Sequence, residues 1–186
     1  PLVLELKKHS EFEPVVIVTA QHRQMLDQVL DLFEITPDFD LNLMKPNQNL
    51  WSLTSEILME TKKIYEEVKP DIVLVHGDTT TAFASALSAF YARVPIGHVE
   101  AGLRTFNKDY PFPEEINRVL ADAVSDLHFA PTEGSVQNLL NSGIKEGIPD
   151  GSMDNSYQEG RRIYKTGNTV IDALLYTVEK NTDLSH

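Results

Sequence analysis

Apolar and polar positions follow two patterns along the chain, and the two patterns alternate. Short runs rich in β-branched residues, such as Pro14–Thr19, Asp71–His76 and Pro95–Val99, are typical of strands that are covered on both faces. Between such runs, apolar residues recur every three to four positions, as in Leu50–Val68, which is the spacing of an amphipathic helix. Strands that alternate with helices of this length form a parallel sheet. The pattern therefore predicts an α/β fold with a doubly wound parallel sheet.

The same two patterns predict the other elements of what we expect to be one domain over residues 1–186. Residues 143–160 are rich in Gly, Asp, Ser and Asn and lack periodicity, so they are predicted to form an irregular exposed loop. The remaining predicted elements are a helix end at Leu2–Leu6, strands at Asp40–Met44, Leu127–Ala130 and Arg162–Thr166, and helices at Gln21–Phe33, Thr79–Arg93, Glu114–Ser125, Glu133–Leu140 and Asn168–Lys180.

Charge and composition limit the classes of partner. The chain has 16 basic and 28 acidic residues, and its net charge of -12 repels nucleic acid and anionic membrane surfaces. It has no cysteine, which excludes disulfides and thiolate metal sites and fits a cytoplasmic protein. No apolar run approaches the roughly 20 residues that cross a bilayer, and no leader peptide is expected. The net charge does not exclude a small anionic substrate, because a few arginines and helix N-termini are enough to bind one.

Acidic residues follow two neighbouring strands of the predicted sheet. Asp78 comes two residues after the strand that ends at His76, and Glu100 directly follows the next strand. A third acid, Glu114, opens a helix behind Pro113. Ligands of open parallel sheets collect at the carboxyl ends of the strands. Asp78, Glu100 and Glu114 are therefore candidate catalytic carboxylates.

Each of these features also has a plainer interpretation. Asp78 precedes a helix, where an aspartate is more often an N-cap than a catalyst. By a period of two, His76 shares a strand face with Asp78 and His98 shares one with Glu100, so a metal site has to be weighed. We favour hydrogen-bonded core histidines over metal ligands, and no bound metal is expected.

Arginines close to the carboxylates are candidate substrate contacts. Arg104 follows Gly102 and offers a forked donor for a phosphate or carboxylate, unless it is simply solvated. Arg118 lies four residues after Glu114, so it either binds substrate or pairs with Glu114 along the helix. Glu115, in the same first turn, is expected to matter less. The sequence has no Gly-x-Gly-x-x-Gly after a strand and no complete P-loop, so no nucleotide cofactor is predicted.

Taken together, these residues resemble the non-hydrolysing UDP-N-acetylglucosamine 2-epimerase family. The matching segments run in order over most of the chain and are jointly specific. They are Thr19-Ala-Gln-His-Arg, His76-Gly-Asp-Thr-Thr-Thr, Gly97-His-Val-Glu-Ala-Gly-Leu-Arg-Thr, Pro113-Glu-Glu-Ile-Asn-Arg, Pro131-Thr-Glu and Thr166-Gly-Asn-Thr-Val-Ile-Asp-Ala.

The resemblance implies two Rossmann-like domains in a glycosyltransferase-B arrangement, with this chain as the N-terminal half. The family's first strand, with its Gly-Thr-Arg-Pro-Glu loop, and its uridine-binding second domain have no counterpart in this sequence. Asp78, Glu100 and Glu114 match the family's essential carboxylates, with His76, Arg104 and Arg118 as substrate contacts. The implied reaction interconverts UDP-N-acetylglucosamine and UDP-N-acetylmannosamine, for bacterial surface polysaccharides, in a homodimer that needs neither NAD nor a metal.

The resemblance also implies a possible second UDP-N-acetylglucosamine site. Some members of the family bind an activating copy of the substrate through two glutamines, which match Gln21 and Gln24, and an arginine. Asn47 stands at the arginine's position, and Lys45 is the only nearby cation. Because a neutral amide replaces a permanently charged donor, weak or absent activation is expected.

Three alternatives to this function stay open at the level of sequence. Two use the same fold: an epimerase that hydrolyses its product and a glycosyltransferase-B sugar transferase. The third is a nucleotide-sugar sensor without catalysis, which would not need three converging carboxylates.

Overall fold

The helical and strand-like segments of the sequence alternate in the structure as predicted, and every paired strand is parallel. The computed structural model describes residues 1–19, 23–43, 48–144 and 162–182. Its elements, in chain order, are α1 Leu2–Leu6, β1 Ile17–Val18, α2 Arg23–Leu32, β2 Phe39–Asp40, α3 Leu50–Val68, β3 Val73–His76, α4 Thr80–Ala92, β4 Ile96–Val99, α5 Glu114–Val124, β5 Leu127–Ala130, α6 Glu133–Asn141, β6 Arg162–Lys165 and α7 Thr169–Thr182.

The chain divides into two compact units, of which the first comprises residues 1–48 and 168–186. In this unit β1 pairs in parallel with β2. The rings of Phe33 and Tyr176 stack with their centroids 4.9 Å apart, which joins the end of α2 to α7. The Nζ of Lys180 donates to the backbone oxygen of Leu32 and to Glu34, both at 2.7 Å. A ring stack and a cation therefore tie the two segments of this unit together.

The second unit, residues 49–167, contains a four-stranded parallel sheet in the order β3-β4-β5-β6. All residues of β4 are buried, as expected for a strand that is covered on both faces. A side chain at Gly97 would meet Leu74 at 2.6 Å and Phe129 at 3.0 Å, so a larger residue here would have to push these side chains of the neighbouring strands aside. Parallel pairing places the carboxyl ends of β3 and β4 at the same edge, because His76 lies opposite Val99.

Helix α4 packs between α3 and α5 and against the sheet. Small residues make this possible: Ala82, Ala84, Ala86 and Ala89 are all buried. Between α3 and α4, the side-chain hydroxyls of Thr61 and Ser88 form a hydrogen bond of 2.8 Å. No helix within the described ranges has the length and apolarity that a membrane crossing requires.

Two strands are much shorter than their apolar runs predict. β1 covers only Ile17–Val18 of the run 14–19. β2 is Phe39–Asp40, so residues 41–43 of the predicted run 40–44 are not in the strand, and Met44 lies outside the described residues. Pairing explains the shift, because Ile17 lies opposite Phe39, and just before this pair the backbone N–H of Val16 donates to the Asp38 carboxylate at 2.7 Å. Most of the loop predicted at 143–160 lies outside the described residues.

Candidate active site

The carboxyl end of β3 turns sharply into α4 and carries the first candidate carboxylate. His76 closes the strand with its side chain 58% exposed. Gly77 adopts a φ of +72°, a conformation that suits glycine, and its N–H donates to Val99 at 3.0 Å. Asp78 follows, but the cap of α4 is Thr79, whose hydroxyl accepts from the N–H of Ala82. Capping therefore does not explain Asp78, and its carboxylate has other partners.

The end of β4 brings Glu100 to the same edge. Glu100 has a φ of +67°, so the backbone leaves the strand geometry at this residue. Its Oε2 lies 3.6 Å from Nε2 of His76, and both side chains are partly open to solvent. A Cβ on Gly77 would lie 3.4 Å from the same oxygen. The structure thus brings together His76, the Gly77 turn and Glu100 across two neighbouring strands.

Helix α5 supplies partners for Asp78. Arg118 donates through Nη2 to the Asp78 carboxylate, and its Nη1 lies 3.4 Å from Glu115. The amide of Asn117 donates to the backbone oxygen of Asp78 at 3.0 Å. Glu114 forms no hydrogen bond or ion pair with the described part of the chain. The alternative pairing of Arg118 with Glu114 is therefore not observed, and Arg118 binds Asp78 and Glu115 instead.

Glu115 is buried to 3% exposure and closes the loop in front of α5. Its two oxygens accept from the backbone N–H groups of Thr105 at 2.9 Å and Phe106 at 2.8 Å. Burial raises the pKa of Glu115, but those N–H groups and Arg118 lower it by more, so the pKa lies below its ordinary range. Glu115 therefore ties two backbone segments together, and the milder effect on turnover expected from its substitution stays a prediction.

Arg104 does not reach the site edge as the sequence suggested. Its side chain is 4% exposed. Its Nη2 donates to Asp122 at 2.7 Å, and its Nη1 donates to the Leu103 carbonyl at 2.8 Å. A buried guanidinium with these partners is not placed as a phosphate donor, so we drop Arg104 from the substrate contacts.

The shared strand face of His98 and Glu100 is also not observed. His98 is fully buried inside β4, with one ring nitrogen on Asp122 and the other on the Gly77 carbonyl. The left-handed conformation of Glu100 breaks the period of two on which the prediction depended. Because both nitrogens of His98 are occupied, this side chain is no metal ligand. Within the described ranges no group of three or more acidic or histidine side chains is arranged to hold a metal ion.

Comparison with known proteins identifies the family. The profile of the family described as UDP-N-acetylglucosamine 2-epimerase matches residues 4–185. The chain belongs to this family. It is 56% identical over 178 residues to the UDP-N-acetylglucosamine 2-epimerase of Bacillus subtilis, covering 96% of this chain and 43% of that protein. The chain thus spans less than half the length of the curated relatives it matches.

Solved structures of the epimerase family agree with the fold. The structure of the Neisseria meningitidis epimerase bound to UDP-GlcNAc superposes with a TM-score of 0.85 at 52% identity, covering 97% of this chain and 45% of that one. The Methanocaldococcus jannaschii epimerase, in complex with UDP-GlcNAc and UDP, gives a TM-score of 0.80 at 36% identity, covering 94% and 44%. The parallel α/β architecture is therefore that of the UDP-N-acetylglucosamine 2-epimerase structures.

Three polar residues of α5 support the site of this epimerase-family chain, and of these three only Glu115 had been singled out from the sequence, with a minor role. Glu115, Asn117 and Asp122 are all buried. A signal for two of them was present, because Glu115, Arg118 and Asp122 follow the spacing i, i+3, i+7 of one helical stripe. Polar residues on the buried stripe of an amphipathic helix need partners, and here they find them in the site.

The residues that were expected to form a second ligand site lie largely outside the described residues. Gln21, Lys45 and Asn47 are not among them. Gln24 is exposed in the first turn of α2. The neighbouring Arg23 pairs with Asp40 at 2.6 Å.

Proposed function

We propose that the intact gene product is a non-hydrolysing UDP-N-acetylglucosamine 2-epimerase that interconverts UDP-N-acetylglucosamine and UDP-N-acetylmannosamine. One observation carries the proposal: Asp78 and Glu100 lie at the ends of adjacent parallel strands, each beside a basic side chain, in a chain of this family. The proposal concerns a protein as long as the relatives, because this chain covers only 43% of the Bacillus subtilis enzyme.

The chemistry explains why several carboxylates are needed. The hydrogen at C2 of the sugar has no neighbouring carbonyl, so simple removal and return of the proton is unfavourable. Elimination avoids this: a base takes the C2 proton, the C1–O bond breaks, and UDP leaves with the bonding electrons to give 2-acetamidoglucal. An acid then protonates C2 on the opposite face while UDP adds back to C1. Proton removal, proton return and leaving-group charge each require a positioned group.

The described contacts support a division of roles among the side chains. Asp78 is fixed by Arg118, whereas Glu100 faces the exposed imidazole of His76. Glu114 is free of partners in the described part of the chain, so it is open to bind a substrate group. We assign Asp78, Glu100 and Glu114 to acid, base and leaving-group chemistry, His76 to substrate contact, and Arg118 to holding Asp78.

Proton NMR of the intact gene product with UDP-N-acetylglucosamine tests the function. A signal of UDP-N-acetylmannosamine is the expected result. Free N-acetylmannosamine would instead identify a hydrolysing epimerase, and an unchanged substrate would favour the sensor. Transfer of the sugar to an added acceptor would identify a transferase.

We also propose that the intact protein is a homodimer. The second unit leaves large apolar side chains open to solvent, namely Trp51 and Met59 on α3 and Phe90 and Tyr91 on α4. Exposed apolar surface of this kind favours association. Light scattering after gel filtration should give twice the mass of one chain. A mass equal to one chain over the working concentration range would contradict this.

For the second ligand site, we propose weak or absent activation by UDP-N-acetylglucosamine. Asn47 offers a phosphate a neutral amide, and losing a charge-assisted contact costs about 1.5–3 kcal/mol, or roughly 10–150-fold in affinity. The reverse reaction from UDP-N-acetylmannosamine should start without a lag, with or without a trace of UDP-N-acetylglucosamine. A long lag that micromolar activator abolishes would show that Gln21 and Gln24 suffice.

A further inference from the structure

A buried histidine lies directly beneath the Gly77 turn. The side chain of His98 is fully buried in β4. Its Nδ1 is 2.6 Å from Oδ1 of Asp122, and its Nε2 is 2.8 Å from the carbonyl oxygen of Gly77. A carboxylate and a carbonyl oxygen only accept hydrogen bonds, so both bonds form only when both ring nitrogens carry a proton.

Asp122 is placed to balance that charge. Its second oxygen accepts from Arg104 at 2.7 Å, and its side chain is 1% exposed. Burial raises the pKa of Asp122, but the hydrogen bond and charge of His98, together with the charge of Arg104, prevail, so its pKa lies below the ordinary value. Asp122 is therefore an anion between two cations, and removing it would leave a buried imidazolium without a counter-charge.

The orientation of the Gly77 carbonyl affects the position of the neighbouring active-site side chains. Gly77 lies between His76 and Asp78 with a φ of +72°, and its Cβ position is 3.4 Å from the Glu100 carboxylate. One peptide further, Asn117 donates to the carbonyl of Asp78. Two side-chain donors thus fix two consecutive carbonyls of the turn, and the direction of the Asp78 side chain follows from the orientation of these peptides.

Resting on the proposed function, we propose that His98, held as an imidazolium by Asp122, is a positioning residue that fixes the Gly77 carbonyl and thereby the Asp78 carboxylate. His98 itself touches no substrate, because it is fully buried. Its role is to keep the turn between the two strand-end carboxylates in one orientation. Misplacing a catalytic group by about 1 Å costs on the order of 10²-fold in rate.

The structure offers a matched control in the neighbouring strand. His128 lies opposite His98 in the register of β4 and β5 and is equally buried. Its Nε2 is 2.9 Å from the backbone oxygen of Asp122, whereas its Nδ1 is 3.4 Å from that of Arg162, which is too far for a strong hydrogen bond, so a single proton on Nε2 satisfies this ring. It makes no hydrogen bond to Gly77. A substitution at His128 therefore tests the loss of a buried histidine without loss of the Gly77 contact.

The experiment measures turnover of UDP-N-acetylglucosamine and ring-nitrogen NMR on the intact gene product. We expect His98→Gln and Asp122→Asn each to lower kcat by about 10–100-fold with little change in KM, measured well below the melting temperature of each variant. His128→Gln should keep the wild-type kcat. In nitrogen-15 histidine-labelled wild-type protein, both ring nitrogens of His98 should carry protons at neutral pH.

The outcomes separate this inference from the function on which it rests. A wild-type protein that does not epimerise would refute the proposed function, and the NMR measurement would still decide the state of His98. A singly protonated His98 in the wild type would overturn the inference, whether or not the variants fold. A normal kcat in folded His98→Gln, or equal losses in His98→Gln and His128→Gln, would overturn it as well.

Discussion

The edge at the ends of β3 and β4 and the layer beneath it both contain charged side chains, but they differ in how those charges are satisfied. At the edge, His76, Asp78 and Glu100 are partly open to solvent, and Glu114 has no partner in the described part of the chain. In the layer beneath, the buried charges of Glu115 and Asp122 are held by protein donors.

The adjacent residues Glu114 and Glu115 show what this difference means. They open the same helix, yet Glu114 has no partner among the described residues, whereas Glu115 accepts from two backbone N–H groups. A carboxylate with free oxygens can exchange protons with a substrate, whereas a saturated one stabilises the fold. Changes at the edge should therefore alter chemistry directly, whereas changes in the layer beneath should alter stability and should affect kcat only through the position of the edge groups.

The largest loss of activity should come from testing residues 1–186 alone, without the rest of the intact gene product. Residues 1–186 cover less than half of the relatives' length, so substrate-positioning groups from the remainder would be missing. We expect purified residues 1–186 to show no turnover of UDP-N-acetylglucosamine by NMR while the intact gene product is active. Measurable turnover by residues 1–186 would show that the edge suffices by itself.

Single substitutions at the edge come next. Asp78→Asn, Glu100→Gln and Glu114→Gln in the intact protein should each reduce kcat by about 10²–10⁴-fold, the usual contribution of a general acid or base. The melting temperature should change little for Glu114→Gln, because this side chain has no described partner to lose.

Exposed acids away from the edge serve as controls. Asp71→Asn, just before β3, and Glu67→Gln, near the end of α3, should leave both kcat and melting temperature unchanged. If Asp78→Asn kept normal turnover and only lowered the melting temperature, its ion pair with Arg118 would be structural.

Much of the edge could be predicted from sequence, because strand ends and the acids that follow them are local features. The position of Arg104 could not, since its partner Asp122 lies 18 residues away on another element. The His98 prediction failed for a different reason: Glu100 adopts a left-handed conformation that non-glycine residues rarely take. The local periodicity of a sequence predicts neither ion pairs between distant residues nor an unusual backbone conformation such as that of Glu100.

In the layer beneath, the same Glu→Gln change should reduce stability more than turnover. Glu115→Gln keeps the shape but loses the charge and one of two equivalent acceptors for Thr105 and Phe106. We expect a loss of about 1–3 kcal/mol in the free energy of unfolding, measured by denaturant titration. Compared with Glu114→Gln, the loss of stability should be larger and the loss of kcat smaller. The reverse ranking would abolish the distinction between the two regions.

The smallest effect concerns pH. Burial lowers the pKa of His128 below its ordinary 6.5, and the charge and hydrogen bond of His98 keep the pKa of Asp122 below its ordinary 3.8. For both groups the unfolded chain binds the proton more readily, so their stabilisation is present above these ordinary values and is lost as pH falls through the folded ones.

Thermal unfolding of wild type and His128→Gln checks this sign. As pH falls below about 6.5, the wild type should lose more stability than His128→Gln, since only the wild type carries this group. A difference between wild type and His128→Gln that stays constant down to about pH 4.5 would contradict the burial argument.

The order of helices and strands could also be predicted from local sequence patterns, whereas the lengths of the strands could not. Leu50–Val68 matches the predicted helix residue for residue, because a long periodic pattern fixes a helix. The short β1 and β2 depend on pairing with each other and on the Asp38 contact, neither of which the apolar runs specify. Pairing partners decide where a strand begins and ends.

The most direct test of the central claim, that the edge carboxylates exchange the C2 proton, is proton NMR of UDP-N-acetylglucosamine with the intact protein in D₂O. Elimination and re-addition must replace the C2 hydrogen with deuterium from solvent. The account predicts that the C2 signal disappears in step with the formation of UDP-N-acetylmannosamine, and that both rates collapse in Glu100→Gln. Epimerisation that keeps the C2 hydrogen, or full-rate exchange in the Asp78, Glu100 and Glu114 variants, would contradict it.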